Sequence, residues 1–269
     1  MFGQAMNTTE MIETPQELWN LVRKDEYLKS TAGVALGYLQ TNLVTLPQEY
    51  AFDFLLFCQR NPKPCPILEV LEPGEFEPKI LAKGADIRTD VPFYRIYENG
   101  ELKSETKNIL DYWQDDLVSF LIGCSFTFET AMLNADIPLR HIEQDTTVPM
   151  YITNIDTKPA GKFSGPTVVS MRPIHKENLV RAVQVTSRFP GTHGAPIHIG
   201  EPGEIGIKDI NTPDFGEKSE IKDNEIPVFW ACGVTPQAVA LKSKPPIMIT
   251  HSPGYMFVTS TRDESVAVI

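Results

Sequence analysis

The sequence predicts an α/β protein: a mixed, partly parallel sheet covered by helices, with a smaller inserted α+β domain. Three observations lead there. The tail reads strand, helix, strand, with Val228–Ala231, then a helix capped at Thr235-Pro236 and running to about Lys242, then Pro246–Thr250. That order is the signature of a β-α-β unit. Near residue 140 the texture changes to short strands punctuated by Gly and Pro, and β-α-β order returns near 226. The chain has 269 residues and is 42% hydrophobic, enough for one large core or two smaller ones. The expected division is 1–140 plus 226–269 for the larger α/β domain and 141–225 for the smaller one.

The elements follow from local chemistry. Thr14-Pro15-Gln16-Glu17 opens a helix: Thr14 caps it, Pro15 fits the first position, and Glu17 closes a capping box. A second helix starts at Pro47, with Tyr50, Phe54 and Phe57 in one stripe, and ends before Asn61-Pro62. Ile67–Leu71 reads as a strand. Asn99-Gly100, between Tyr94–Tyr97 and the stretch from Leu102, is a two-residue hairpin signal. Asp115–Asn134 is apolar and reads as helix, break at Gly123-Cys124-Ser125, and second helix, with a strand before the break as the alternative. Met150–Ile155 and Thr167–Met171 are strands, a helix covers Lys176 to about Gln184, and Tyr255–Thr259 is the last strand.

Charge and composition exclude several classes. A formal charge of −11, with no basic run longer than two residues, argues against nucleic acid. No apolar stretch reaches the ~18 residues of a membrane span. The N-terminal MFGQAMNTTEMIETPQ lacks the basic and apolar blocks of a signal peptide. The expectation is a cytoplasmic protein acting on a small acidic molecule, with no nucleic acid or membrane partner and with a homo-oligomer left open. The cysteines at 58, 65, 124 and 232 form no CxxC pair. In a reducing compartment each is a core thiol or a reactive one.

The candidate site centres on QVTSRFPGTHGAPIHIG (184–200). Pro and Gly bar a regular helix over this stretch, while Val185, Phe189, Ile197 and Ile199 tie it to the core. An irregular, half-buried segment carrying Ser187, Arg188, His193 and His198 is how a chain lines a pocket for a polar ligand. His193 and His198, with Glu201 or Asp209, have no metal-ligand spacing, so no metal is expected, nor any other cofactor, since no Gly-rich phosphate loop is present. Cys232 and His251 each follow a tail strand. Ligands bind beyond the carboxyl ends of strands in open α/β sheets, and the helix start at Thr235 favours a thiolate at Cys232. The plainer reading is a buried thiol and a surface histidine. Arg172 and Arg188, in SMRPI and TSRFP, are candidate carboxylate clamps. Arg88, between Asp86 and Asp90, reads as a structural ion pair. Cys124 and Cys232 on opposite faces of a substrate would suit a cofactor-free racemase.

Together these blocks resemble one family. CQRNPKPCPILEV (58–70), FLIGCSFTFE (120–129), IPLRHIE (137–143), VVSMRPI (168–174), VTSRFP (185–190), HGAPIHIG (193–200), PVFWACGVTPQ (227–237) and ITHSPGYMFVT (249–259) are similar to the "putative hydro-lyase" family, which also forms one part of mitochondrial D-glutamate cyclase. The resemblance runs from about residue 15 to 260. It implies a carbon–oxygen lyase that closes D-glutamate to 5-oxo-D-proline with loss of water and needs no redox or pyridoxal cofactor. Such a ring closure needs a base for the ammonium, an acid for the leaving water, oxyanion donors and a carboxylate clamp. His251, His193 and His198 are the candidates for base and acid. Arg172 or Arg188 is the clamp, Ser187 and Cys124 complete the substrate contacts, and the amides after Cys232 form the oxyanion site. The rival readings are a binding module for 5-oxoproline and the racemase.

Overall fold

The computed structural model describes residues 12–268. The first 11 residues of the stretch that lacks signal-peptide blocks therefore lie outside the described region. The capping box at Thr14 forms as expected: helix α1 is Pro15–Arg23, and Thr14 and Glu17 exchange side-chain-to-backbone bonds. Strand β1 (Tyr38–Pro47) leads straight into helix α2 (Gln48–Arg60), then β2 (Ile67–Leu71). A hairpin joins β3 (Tyr94–Glu98) to β4 (Glu101–Thr106), with Asn99 at φ 51° and Gly100 at φ 83°, the left-handed pair such a turn requires. Strand β5 is Leu117–Gly123, followed by helices α3 (Glu129–Asn134) and α4 (Arg140–Glu143). Then come β6 (Met150–Asp156), β7 (Pro166–His175), α5 (Leu179–Ser187), β8 (His198–Ile199) and β9 (Glu225–Ala231). Helix α6 (Thr235–Ser243), β10 (Met248–His251) and β11 (Phe257–Arg262) complete the chain.

The strands make two sheets. One has the order β2-β5-β1-β10-β3-β4, with β11 also on β1; the other is β6-β7-β9-β8. Every strand pair is antiparallel. This corrects the expected partly parallel sheet. The strand-helix-strand spacing of the tail is real, but α6 carries the chain from β9 in one sheet to β10 in the other, so the two strands never become neighbours. No inserted α+β domain is evident either: β6, β7 and β8 complete a sheet with β9.

The second correction concerns Leu117–Gly123, which is a strand and not a helix. Its seven residues are all buried because the sheet is covered on both faces. Leu43, Leu117, Leu121 and Ile249 face one cluster with Trp19 and Ile87. Val44, Phe120, Ile122 and Met248 face the other, with Phe54 and Phe57 of α2 and Val239 of α6. A strand buried on both sides shows no alternation, so an apolar run of this kind reads equally as helix. Among the described residues, no helix is long and apolar enough to cross a membrane.

A third cluster joins the sheets. Cys124 and Phe126, just past β5, pack with Val148, which precedes β6, with Met150 and Val168 of the second sheet, and with Cys232 and Val234, just past β9. The junction thus lies at the carboxyl ends of one strand from each sheet.

Candidate active site at the junction of the two sheets

Two strand-to-helix turns build the junction. After β5 the chain reads Gly123-Cys124-Ser125, and after β9 it reads Cys232-Gly233-Val234. Both glycines are needed for close approach: a Cβ on Gly123 would lie 2.0 Å from the Gly191 carbonyl, and one on Gly233 would lie 1.9 Å from Asn42 Nδ2. Asn42 in turn donates to the Gly123 carbonyl at 2.8 Å, so the two turns are tied through one side chain. In each turn the thiol meets the amide two residues on. Phe126 N–H donates to Cys124 Sγ at 3.5 Å, and the Val234 amide favours the Cys232 thiolate. Burial dominates both thiols: Cys232 is pushed up to about 11 and Cys124 further still. The helix start does not deliver the thiolate expected at Cys232, because desolvation outweighs the amide.

Arg172, on β7, is fully buried beneath this junction, with Phe128 and Trp230 beside its guanidinium. It donates from Nε to Glu129 Oε1 at 3.1 Å and from Nη2 to the same oxygen. Nη1 reaches Ser170 Oγ and Nη2 reaches Ser125 Oγ, each at 3.1 Å. His141 Nε2 lies 3.0 Å from Glu129 Oε1, near enough for an ion pair but off the line of a good hydrogen bond. Burial raises the Glu129 carboxyl, but His141 and Arg172 outweigh it and hold the group below its ordinary value. Glu129 is therefore an ionised carboxylate at 1% exposure, and its Oε2 has no partner among the described residues. Phe126 stacks on the His141 ring at 6.1 Å.

His141 also lines a pocket of about 400 Å³. The wall of that pocket carries both signs, Lys29 against Asp145 and Glu217, together with Tyr255. The chain of contacts therefore runs from pocket to His141 to Glu129 to Arg172.

The sequence-predicted residues divide. Arg172, Cys124 and Cys232 meet at the junction, and the Arg172 charge also acts on His193. Arg172 is not the expected open clamp, because Glu129 occupies it. His193 is fully buried at φ 80°, with Nδ1 2.9 Å from the Lys63 carbonyl and Nε2 without a hydrogen-bond partner among the described residues. Burial lowers its pKa to about 4, so it is neutral near pH 7. His251 is no surface residue. Strand β10 pairs with β1 as far as Thr250, and β11 rejoins β1 at Phe257. His251 Nδ1 fills the gap by accepting from Leu43 N–H at 3.2 Å, and burial lowers this histidine too, to about 4. His198 stands at the β8 edge, its Nε2 2.8 Å from the Glu201 carbonyl and its ring on Phe229. Ser187 and Arg188 end α5 and are exposed: Ser187 Oγ donates to Val183 O at 2.5 Å, and Arg188 Nε to Val268 O at 3.3 Å.

Glu129, His141, Ser125, Ser170 and Asn42 were not singled out by the sequence reading. The available signals were a glutamate closing the apolar SFTFE and a histidine inside IPLRHIE, both within blocks that carried the family resemblance.

The sequence profile described as D-glutamate cyclase matches residues 118–260, a span that holds both turns, Glu129, His141 and Arg172. A protein of Psychrobacter arcticus named "Putative hydro-lyase" is 61% identical over 256 residues, covering 95% of this chain and 97% of its own. Relatives of the same description from a Thermoanaerobacter species and from Geobacillus kaustophilus are 64% and 61% identical, each over 94% of this chain and 96% and 97% of theirs. The chain belongs to the D-glutamate cyclase family and is an enzyme of the hydro-lyase type.

Proposed function

We propose that this protein closes D-glutamate to 5-oxo-D-proline and releases one water. The observation that carries the reading is the buried Glu129 carboxylate, held ionised by Arg172 and in contact with His141 on the pocket wall. In the reaction the amine nitrogen bonds to the side-chain carboxyl carbon and one C–O bond of that carboxyl breaks. The two protons lost by the ammonium leave with the oxygen as water, so no oxidant or reductant enters.

Each step has a group suited to it. His141 takes a proton from the substrate ammonium, and the adjacent Glu129 carboxylate stabilises the imidazolium so formed. The imidazolium delivers that proton to the departing oxygen, and His141 then carries the second proton from the newly bonded nitrogen to the same oxygen, which leaves as water. Arg172 reaches the pocket only through Glu129 and His141: with His141 it keeps Glu129 ionised, and Ser125 and Ser170 hold the guanidinium in place. Within the pocket Lys29 can meet the α-carboxylate and Asp145 or Glu217 the ammonium, while the reacting side-chain carboxyl meets His141. The racemase reading is disfavoured because both thiols stay protonated near neutral pH. A cytoplasmic setting agrees with four free, buried cysteines.

The test is to incubate pure protein separately with D- and L-glutamate and to follow 5-oxoproline by mass spectrometry. Water loss from D-glutamate, well above the rate without protein, is expected. Tight binding of 5-oxoproline with no turnover would instead establish the binding module.

A further inference from the structure

A second pocket, of about 330 Å³, opens where α2 ends, away from the His141 pocket. Arg60, Lys63 and Lys158 line it, and no Asp or Glu does. Among the described residues none of these three cations makes an ion pair, in a chain whose net charge is −11. Unopposed positive charge converging on one cavity of an acidic protein is an electrostatic footprint for an anion.

The cavity is built and not merely lined. Asn61 Nδ2 donates to the Lys158 carbonyl at 2.8 Å and its Oδ1 accepts from the Lys158 amide at 2.7 Å. Arg60 Nη1 donates to the Pro159 carbonyl at 2.6 Å. These bonds pin the segment bearing Lys158 to the end of α2, so Arg60 and Lys158 are brought together before any ligand arrives. Lys63 is half-buried, and burial alone pulls its ammonium below the ordinary lysine range. A bound anion would reverse that penalty. Between the cations the wall is apolar, with Ile155 and Ile197 contributing. Such a wall suits a short carbon skeleton better than a bare inorganic ion.

We propose that the Arg60–Lys63–Lys158 pocket is a second ligand site that takes a small organic dianion of the short dicarboxylate class. The site lies beside the turn after β9 and the His193 loop. Ala231 on its wall precedes Cys232, and the Lys63 carbonyl holds His193. It does not depend on the reaction proposed above.

The test uses full-length protein with ¹³C-labelled isoleucine methyls, titrated with glutarate and, separately, with inorganic phosphate. Ile155 and Ile197 resonances report this pocket and not the His141 pocket. Saturable shifts with glutarate are expected, weakened at least ~10-fold in Lys63→Met/Lys158→Met and in Arg60→Gln, while D-glutamate turnover by the variants stays at the wild-type level. Absence of saturable shifts, or equal affinity in the variants, overturns the site. Phosphate binding as tight as glutarate overturns the organic class of ligand.

Discussion

Arg172 and Glu129 form a buried pair in which two guanidinium nitrogens share a single carboxylate oxygen, leaving Glu129 Oε2 without a partner among the described residues. A pair of this kind contributes little net stability, because desolvating both charges offsets their attraction, but removing one member strands the other. Glu129→Gln and Arg172→Met should each lower stability by about 3–5 kcal/mol. The double replacement Glu129→Leu/Arg172→Met should cost less than the sum of the singles. Chemical denaturation of the four proteins checks this; strict additivity would show that the two charges are not coupled.

Acid should destabilise the fold through His193 and His251. Both have folded pKa values of about 4 against an ordinary 6.5, so the unfolded chain binds more protons between those values. Stability is therefore fully present above pH 6.5 and is lost as pH falls from about 6.5 through 4. For His251 the cause is burial, which disfavours the charged ring. His251→Gln should flatten the pH dependence of the denaturation midpoint across this window. An unchanged slope would remove His251 from the account.

The thiols of Cys124 and Cys232 should be inert in the native state. At pH 7.5 iodoacetamide should label them only after unfolding, and no deuterium should enter the α-carbon of glutamate in heavy water. Rapid native labelling of Cys232, or α-carbon exchange, would restore the racemase.

Gly233→Ala should be severe, because its Cβ would fall 1.9 Å from Asn42 Nδ2. A loss of about 1–3 kcal/mol is expected. Asn42→Ala in the same chain should recover part of it. A Gly233→Ala protein melting like wild type would mean that the turn adapts without cost.

The sequence exposed what is written locally and hid what depends on the partner. The Thr14 capping box, the Asn99-Gly100 turn and the strand Ile67–Leu71 are properties of a few adjacent residues, and they form as read. Strand direction is not such a property. Val228–Ala231 and Pro246–Thr250 look like parallel neighbours until α6 is seen to join two sheets. Strand β1 went unread as an element because its residues are buried on both faces and show no alternation. The site divided in the same way. Arg172, Cys124 and Cys232 stood out as unusual residues in apolar settings. Glu129 and His141 lie only 12 residues apart in the chain, yet their pairing requires α3 and α4 to fold back over β7, which no spacing rule reports. Ser187 and Arg188 looked like pocket residues because they border a Gly- and Pro-rich loop. Ser187 does line a pocket of about 360 Å³ with Lys63 and His193, away from the His141 pocket, whereas Arg188 at the end of α5 is exposed and bonds the Val268 carbonyl.

The measurement that bears most directly on the central claim compares wild type with His141→Asn, which leaves the Arg172–Glu129 pair intact. D-Glutamate is supplied at saturation and 5-oxoproline is followed by mass spectrometry. Wild type should convert D-glutamate, and His141→Asn should be slower by about 10²–10⁴-fold while still folded at the assay temperature by circular dichroism. Equal turnover by the two proteins, or no 5-oxoproline from wild type, would contradict the account.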